Sequence, residues 1–516
     1  MSAGPPRVAV VGGGITGLAA AYYLEQQARA AGREVEIHLL EEAPVLGGKV
    51  QTEQVGELTI EAGPDSYLAR KVAATRLAQA VGLGDALVES TPGRLKTYVY
   101  HRGRLHPLPE GMVLVAPTRL GPFLASPLIS PLGKLRMALD LVLPPRREEG
   151  DESIGAFLRR RLGDEAVEVL AGPLLSGIYA GNPDELSLLA TFPMFRDLER
   201  RHGSLVRGLL RQARGARAPG ARGQVRPHGV PAAPGQGQSP GAQATPAQAR
   251  PSGAPERRDT PGSRSAFVSL RGGLGSLVRA VAGALQVTRV RTGTPVRRLE
   301  RRPGGLGSPG RYRLVLGDGT TLQADAVILA VPAYAAASLV EPISPGAAGE
   351  LAAIPYVSTA VVALAYPRGQ VPPLEGSGFV VSHRERRSIT ACTWVSSKWP
   401  HMVAGDWALF RCFVGRSGDE ELALAPEPEI LAAVRRDLAE MMDLRAEPAL
   451  VRVYRWPRAM PQYRVGHLDR LARIEAALAA EPGIILAGAA YRGVGVPDCI
   501  SQGEQAARRA GALLGL

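Results

Sequence analysis

Four short stretches of the 516-residue chain carry residue types whose spacing could do chemistry. The first is Gly12-Gly13-Gly14-Ile15-Thr16-Gly17, a G-x-G-x-x-G between the apolar run Arg7-Val8-Ala9-Val10-Val11 and a run of helix formers from Leu18. Each glycine has its own reason to be there. Gly12 permits a tight turn, Gly14 lets the backbone approach a pyrophosphate, and Gly17 lets helix and strand pack closely. The helix that follows would offer free N–H groups and a positive dipole end to phosphate. A second apolar run, 35–40, ends at Glu41, placed to accept hydrogen bonds from a ribose diol. Glu42 is the neighbouring alternative, and Glu41 keeps the better register. Strand, glycine turn, helix and acid in that order predict a dinucleotide site.

The other three stretches refine the cofactor. Gly47-Gly48 follows the acid closely, with Lys49 next, an arrangement that resembles flavoproteins of the amine-oxidase type and points to FAD rather than NAD. Gly63-Pro64-Asp65-Ser66 is a turn that brings backbone close to a neighbour. In a flavoprotein that neighbour would be the isoalloxazine ring. Near the C-terminus the apolar run 483–489 leads through Gly493-Val494-Gly495-Val496-Pro497 into a helix predicted over 498–514. Its N-terminus would face the flavin N1/C2=O edge, where negative charge develops on reduction.

The elements that must position these residues read as α/β. Strand and helix alternate at the start, and the 109–195 region is mainly helical, punctuated by Pro and Gly. Strands predicted near 357–365, 378–381, 390–395 and 409–414 indicate a second, mixed or antiparallel sheet. The apolar but proline-broken stretch 121–129 reads as helix-bundle core, with a substrate entrance or membrane surface as the alternative. Residues 211–265 hold Gly, Pro, Ala, Gln and Arg with no aromatic, Leu or Ile, and are predicted to be a disordered insertion.

Composition excludes several classes. The formal charge of +13 suggests a nucleic-acid partner, yet nine Arg against Glu256 and Asp259 place +7 of it within 211–265. The modest remainder suits an acidic small molecule, and no nucleic acid is expected. Cys392, Cys412 and Cys499 lie too far apart for a disulfide framework or zinc cluster, which fits a reducing cytoplasm. No signal peptide and no bilayer-spanning apolar run is evident, so membrane contact is expected to be peripheral at most.

Several motifs together resemble the porphyrinogen oxidases, nearest the oxygen-dependent, coproporphyrin-forming type. They are the 12–20 glycine loop, Gly63-Pro64-Asp65-Ser66-Tyr67-Leu68-Ala69-Arg70-Lys71, the 173–181 stretch, Ala391-Cys392-Thr393-Trp394, Lys398-Trp399-Pro400-His401, Met460-Pro461-Gln462-Tyr463 and the loop from Gly493 to Ile500. The likeness spans the chain except 211–265. It implies a Rossmann-like FAD-binding domain (1–88, 266–305, 470–516), an antiparallel-sheet substrate domain (89–104, 198–210, 306–469) and an inserted helical domain (105–197). FAD contacts carried over by motif are Gly12, Gly13, Gly14, Ile15, Thr16, Gly17, Glu41, Lys49, Gly63, Pro64, Asp65, Ser66, Val296, Ala489, Val494, Gly495 and Val496. Lys71 matches a lysine the family places at the active site; its plainer reading is a solvated charge at a helix start.

The reaction the resemblance implies takes six electrons from coproporphyrinogen III. Each of three steps moves hydride from a meso carbon to flavin N5, and O2 reoxidises the flavin with release of H2O2. Four substrate carboxylates would call on Lys71, Arg70, Arg455, Arg458 or Arg464. A passing contact with the downstream ferrochelatase is also implied. Protoporphyrinogen IX, an amine or carotenoid substrate, and a catalytically idle tetrapyrrole carrier stay open as alternatives. His383 and His401 read as structural, and Cys499 as a buried helical thiol rather than a flavin attachment.

Overall fold

The computed structural model describes residues 4–90, 96–113, 115–215, 266–303 and 310–516. A five-stranded parallel sheet organises the nucleotide side, in the order Thr288–Arg291, Glu36–Leu40, Arg7–Val11, Ala326–Leu329, Ile484–Leu486. Its central strands are near-continuous apolar runs because both faces are covered. Helices Ile15–Ala30, Gly275–Ala284 and Val496–Leu514 pack on one face. A small antiparallel sheet, Val296–Arg301 with Tyr312–Leu316 and Thr321–Ala324, packs on the other with helices Ala333–Val340, Pro345–Ala352 and His467–Ala477.

The first and last helices meet without room for side chains. A Cβ on Gly503 would run into the carbonyl oxygen of Thr16 and lie 3.0 Å from the Ala19 Cβ. The two ends of the chain are thereby locked side by side.

The second sheet has seven strands in the order Leu450–Pro461, Tyr356–Pro367, Trp407–Val414, Ile389–Trp394, Gly378–Val381, Thr97–His101, Arg104–Pro107. It is antiparallel except where Gly378–Val381 pairs parallel with Thr97–His101. Alternation along each strand sends Phe410, Cys412, Val362 and Leu364 to one face, against Ile430, Val434 and Leu438 of helix Glu427–Met442. Leu409, Ala363 and Ala365 go to the opposite face, against Leu58, Ile60 and Trp399 of the nucleotide side. Arg411, two residues from Leu409, shares that inner face.

Helices from Leu120 to Gly215 form a third core. At its centre Arg161 and Asp140, both fully buried, pair at 2.5 Å, and the guanidinium also donates to the carbonyls of Asp140 and Gly203. Loss of Arg161 alone would leave Asp140 an uncompensated buried charge, whereas Arg161 also faces Glu199 at 3.5 Å.

Several expectations need correction. Ala326–Leu329, assigned to the substrate domain, is the fourth strand of the parallel sheet, because its apolar run is buried on both faces. The 198–210 segment sits in the helical core rather than with the substrate sheet, through Leu198, Leu205, Val206 and Leu209. Residues 211–215 complete helix Leu205–Gly215, so the predicted insertion begins after Gly215. Its remainder, 216–265, lies outside the described residues. The 12-residue strand Leu450–Pro461 was not among the expected strands. The final helix starts at Val496, with Pro497 in its first turn, where a missing N–H costs nothing. In 121–129 only Phe123, Leu128 and Ile129 join the core; Leu124 is 61% exposed, and Leu132, Leu135 and Val142 continue an apolar surface strip.

Candidate active site

The glycine turn after Arg7–Val11 behaves as its chemistry demands. Gly12 has φ +106°, and a Cβ there would lie 2.6 Å from the Ala330 carbonyl oxygen of the adjacent strand. A Cβ on Gly17 would collide with the Gly12 carbonyl. Gly14 differs: a Cβ there meets nothing within 4 Å. Two glycines are thus needed by the protein's own packing and one faces open space. Gly14 is also the N-cap of helix Ile15–Ala30 and carries no side-chain cap, so the first-turn N–H groups, Ile15 and Thr16 included, are available to an anion.

Glu41 closes this turn from below. Its carboxylate accepts the N–H of Gly13 at 2.5 Å and of Ala43 at 2.8 Å, and each oxygen keeps a lone pair for a diol. Glu42 is exposed and faces Arg297 at 3.9 Å. Gly47 N–H donates to Gly13 O at 2.9 Å, which seats Gly47-Gly48 on the turn. The Lys49 side chain is half-buried, and burial pushes its ammonium below the usual lysine range. Thr294 N–H donates to Glu41 O at 2.8 Å, two residues before the half-buried Val296.

The Gly63–Ser66 turn packs on the same floor: a Cβ on Gly63 would collide with the Lys49 carbonyl. Three of its neighbouring carbonyls are engaged. Ala62 O accepts from Trp456 Nε1 at 2.8 Å, Asp65 O from Ser269 Oγ at 2.7 Å, and Gly63 O from the Arg411 guanidinium. Asp65 is buried and accepts from Ser66 Oγ at 2.6 Å and from Lys398 Nζ at 3.0 Å, with Arg411 Nη1 3.2 Å away. The two cations hold its carboxyl well below the usual carboxylate range despite burial. Next to it Glu61, 1% exposed, is pushed up to about 7 by burial, against hydrogen bonds from Thr52 Oγ1 and Leu274 N–H.

The C-terminal loop joins the first from above. A Cβ on Gly488 would meet only Thr16 Oγ1, at 4.0 Å. The Tyr463 hydroxyl donates to Ala489 O at 2.6 Å and accepts Gly493 N–H at 2.8 Å, so one buried side chain ties both arms of the loop. His467 stacks on Tyr463 at 4.2 Å between ring centroids. Val494, Gly495 and Val496 then open the final helix, whose Asp498 takes Lys71 Nζ at 2.6 Å.

Direct contacts thus link the Gly12–Gly17 turn to Glu41 and Gly47, Gly63 to Lys49, Tyr463 to Ala489 and Gly493, and Lys71 to the helix that follows Val494 and Gly495. The other cations are more scattered. Arg464 pairs with Glu185 at 2.9 Å, and Arg455 donates to Ala425 O at 3.1 Å. Arg70 and Arg458 have no carboxylate partner among the described residues; the Arg458 guanidinium lies 4.0 Å from the Tyr334 ring centroid. His383 and His401 are well packed, with burial pulling His383 down to about 4. Burial pushes the Cys499 thiol up to about 11. Arg411, Tyr463 and Asp498 were not singled out for roles by sequence reasoning. For Arg411 a signal existed, a lone cation inside the apolar strand Trp407–Val414.

A parallel sheet ending in two glycine-lined helix starts, packed against a large antiparallel sheet, is the architecture of a dinucleotide-binding oxidoreductase. The chain belongs to the flavin containing amine oxidoreductase family, whose model matches residues 15–510. FAD is its cofactor. It is similar to the coproporphyrinogen III oxidase of Bacillus subtilis, 39% identical over 98% of each chain. The coproporphyrinogen III oxidase of Propionibacterium freudenreichii is 40% identical over 96% of this chain and 89% of its own. A solved structure from Exiguobacterium sp. 255-15, provisionally described as a protoporphyrinogen oxidase, superposes with TM-score 0.80 at 36% identity over 100% of both chains.

Proposed function

We propose that the protein oxidises coproporphyrinogen III to coproporphyrin III in haem formation, passing six electrons to O2 with release of H2O2. The observation that carries this reading is the end-to-end likeness to coproporphyrinogen III oxidases, which covers the substrate sheet and the helical region as well as the nucleotide sheet. Bound FAD supplies the two-electron chemistry at each of three rounds. The chain's own residues bind, orient and polarise.

In this reading Gly14, Ile15 and Thr16 hold the pyrophosphate through backbone N–H groups, and Glu41 takes the ribose diol. Gly63–Ser66 and Val494–Val496 bracket the ring, the latter presenting a positive helix end to its pyrimidine edge. Lys71, whose side chain is 41% exposed, exchanges Asp498 for a substrate carboxylate at the cleft mouth. Arg458, without a carboxylate partner among the described residues, is placed to take another. A reducing cytoplasm and a brief contact with the ferrochelatase that consumes the product complete the proposal. No described helix is long and apolar enough to cross a membrane.

The Exiguobacterium relative's description favours protoporphyrinogen IX as the second reading. Turnover of both porphyrinogens side by side, with oxygen uptake and product fluorescence recorded, separates the two. Anaerobic bleaching of the flavin by coproporphyrinogen is the expected result. Bleaching by an amine but by neither porphyrinogen would overturn the proposal, and binding without bleaching would mark a carrier.

A further inference from the structure

Two cations converge on one carboxylate within the turn that precedes Tyr67. Lys398 and Arg411 both face Asp65, at 3.0 and 3.2 Å, with side-chain exposures of 17% and 1%. One positive charge is therefore left over in a largely buried site, where Asp65's side chain is 12% exposed. Glu61, which interacts electrostatically with both Arg411 and Asp65, is pushed up to about 7 by burial, which lessens its share of the compensating charge. The guanidinium spends one nitrogen on Gly63 O, its Nε has no partner among the described residues, and its carbon lies 5.3 Å from the Phe413 ring centroid. A buried ion cluster of this kind is costly to assemble and is a weak source of stability. Its position behind a cofactor turn gives it another use.

We infer that Arg411 and Lys398 are positioning residues that hold the Ala62–Ser66 turn against the isoalloxazine ring and place one uncompensated positive charge behind it. The inference rests on the reading that this turn lies at the ring. Reduction puts negative charge on the flavin, and a fixed cation in a low-dielectric setting stabilises that state selectively. Asp65 sets the dose: it orients both cations and cancels one of them.

The opposing signs make the test sharp. Wild type and the Arg411→Met, Lys398→Met, Arg411→Lys and Asp65→Asn variants are reconstituted with FAD, and bound FAD per chain is measured by absorbance. Midpoint potential is then titrated anaerobically, and sulfite, which adds at N5 and leaves negative charge on the ring, serves as the charge probe. Arg411→Met and Lys398→Met are expected to shift the potential negative and weaken sulfite binding at least ten-fold. Asp65→Asn should shift the potential positive and tighten sulfite binding, and Arg411→Lys should return toward wild type. A purely structural cluster would move all the variants in one direction. That result, or unchanged potentials in FAD-loaded variants, overturns the inference. Should Arg411→Met fail to fold, the more exposed Lys398 carries the same comparison. Loss of FAD from every variant, with the fold kept by circular dichroism, also overturns the electrostatic claim. Failure of wild type itself to take up FAD would instead sink the underlying assignment.

Discussion

Lys71 Nζ sits 2.8 and 2.6 Å from the two carboxylate oxygens of Asp498, a residue 427 positions further along the chain. The pair joins the segment that follows the Gly63–Ser66 turn to the first turn of the final helix, two stretches proposed above to face the cofactor. With side-chain exposures of 41% and 19%, the contact is open to water and to exchange. A pair of this kind is worth roughly 1 kcal/mol or less, so a substrate carboxylate can displace Asp498 at little cost.

Lys71→Ala should lower kcat/KM for coproporphyrinogen by about ten-fold or more, the scale of one lost charge-assisted hydrogen bond. FAD content should stay at wild-type level. Steady-state kinetics beside flavin absorbance checks both, and unchanged kinetics would remove Lys71 from the site.

Gly14 and Gly17 should fail in different ways. Gly17→Ala forces a side chain into the Gly12 carbonyl and should lower the melting temperature even without FAD. Gly14→Ala meets open space, so the apoprotein should melt as wild type does. Its FAD affinity should nonetheless drop at least ten-fold as the methyl fills the pyrophosphate's approach. Thermal melts with and without FAD distinguish them.

Glu61 gives a pH dependence of definite sign. Its carboxyl titrates near 7 when folded and near 4.5 when unfolded, so the folded state holds the extra proton between those values. Stability from this group is present at about pH 4.5 and falls as pH rises to about 7, by roughly 1–3 kcal/mol. Urea melts from pH 5 to 8 should show that decline in wild type, and Glu61→Gln should flatten it.

The three cysteines are free and buried, with Cys392 and Cys412 facing each other at 3.7 Å on paired strands. Burial holds the thiols of Cys392 and Cys499 above their ordinary range. An aromatic disulfide reagent should therefore find almost no thiol in native protein and all three after denaturation. Acid precipitation should release FAD into solution, and retention on the pellet would point to a covalent link at Cys499.

Removing 216–265 should leave turnover and melting temperature close to wild type, since helix Leu205–Gly215 ends before the cut. A deletion that begins at 211 takes the helix's last residues as well and should melt lower. Loss of folding in the shorter deletion would refute the linker assignment.

Local chemistry was legible from the residues alone. The Gly12–Gly17 turn, the acid at Glu41 and the Gly493–Pro497 loop each announce themselves within a dozen residues, because turn geometry and helix starts are set by near neighbours. The paired sheets were also foreseeable, since period-two and continuous apolar runs report how many faces are covered. Strand Leu450–Pro461 escaped because Arg452, Arg455 and Arg458 interrupt its apolar pattern. Arg452 is satisfied by Glu53, some 399 positions away, and that pairing leaves no local trace.

Side-chain partnership across the fold was decided only by the tertiary structure. The 198–210 helices are amphipathic enough to cover either core, and packing settled which one. Lys398 and Arg411 became a cluster because two strands and a turn from different parts of the chain converge on Asp65. A sequence fixes backbone preference over short distances, whereas burial, charge pairing and the field at a cofactor depend on neighbours brought in by the whole chain. The amino-acid order thus specified the glycine turns and their acid, and the folded molecule specified which charges meet at Asp65.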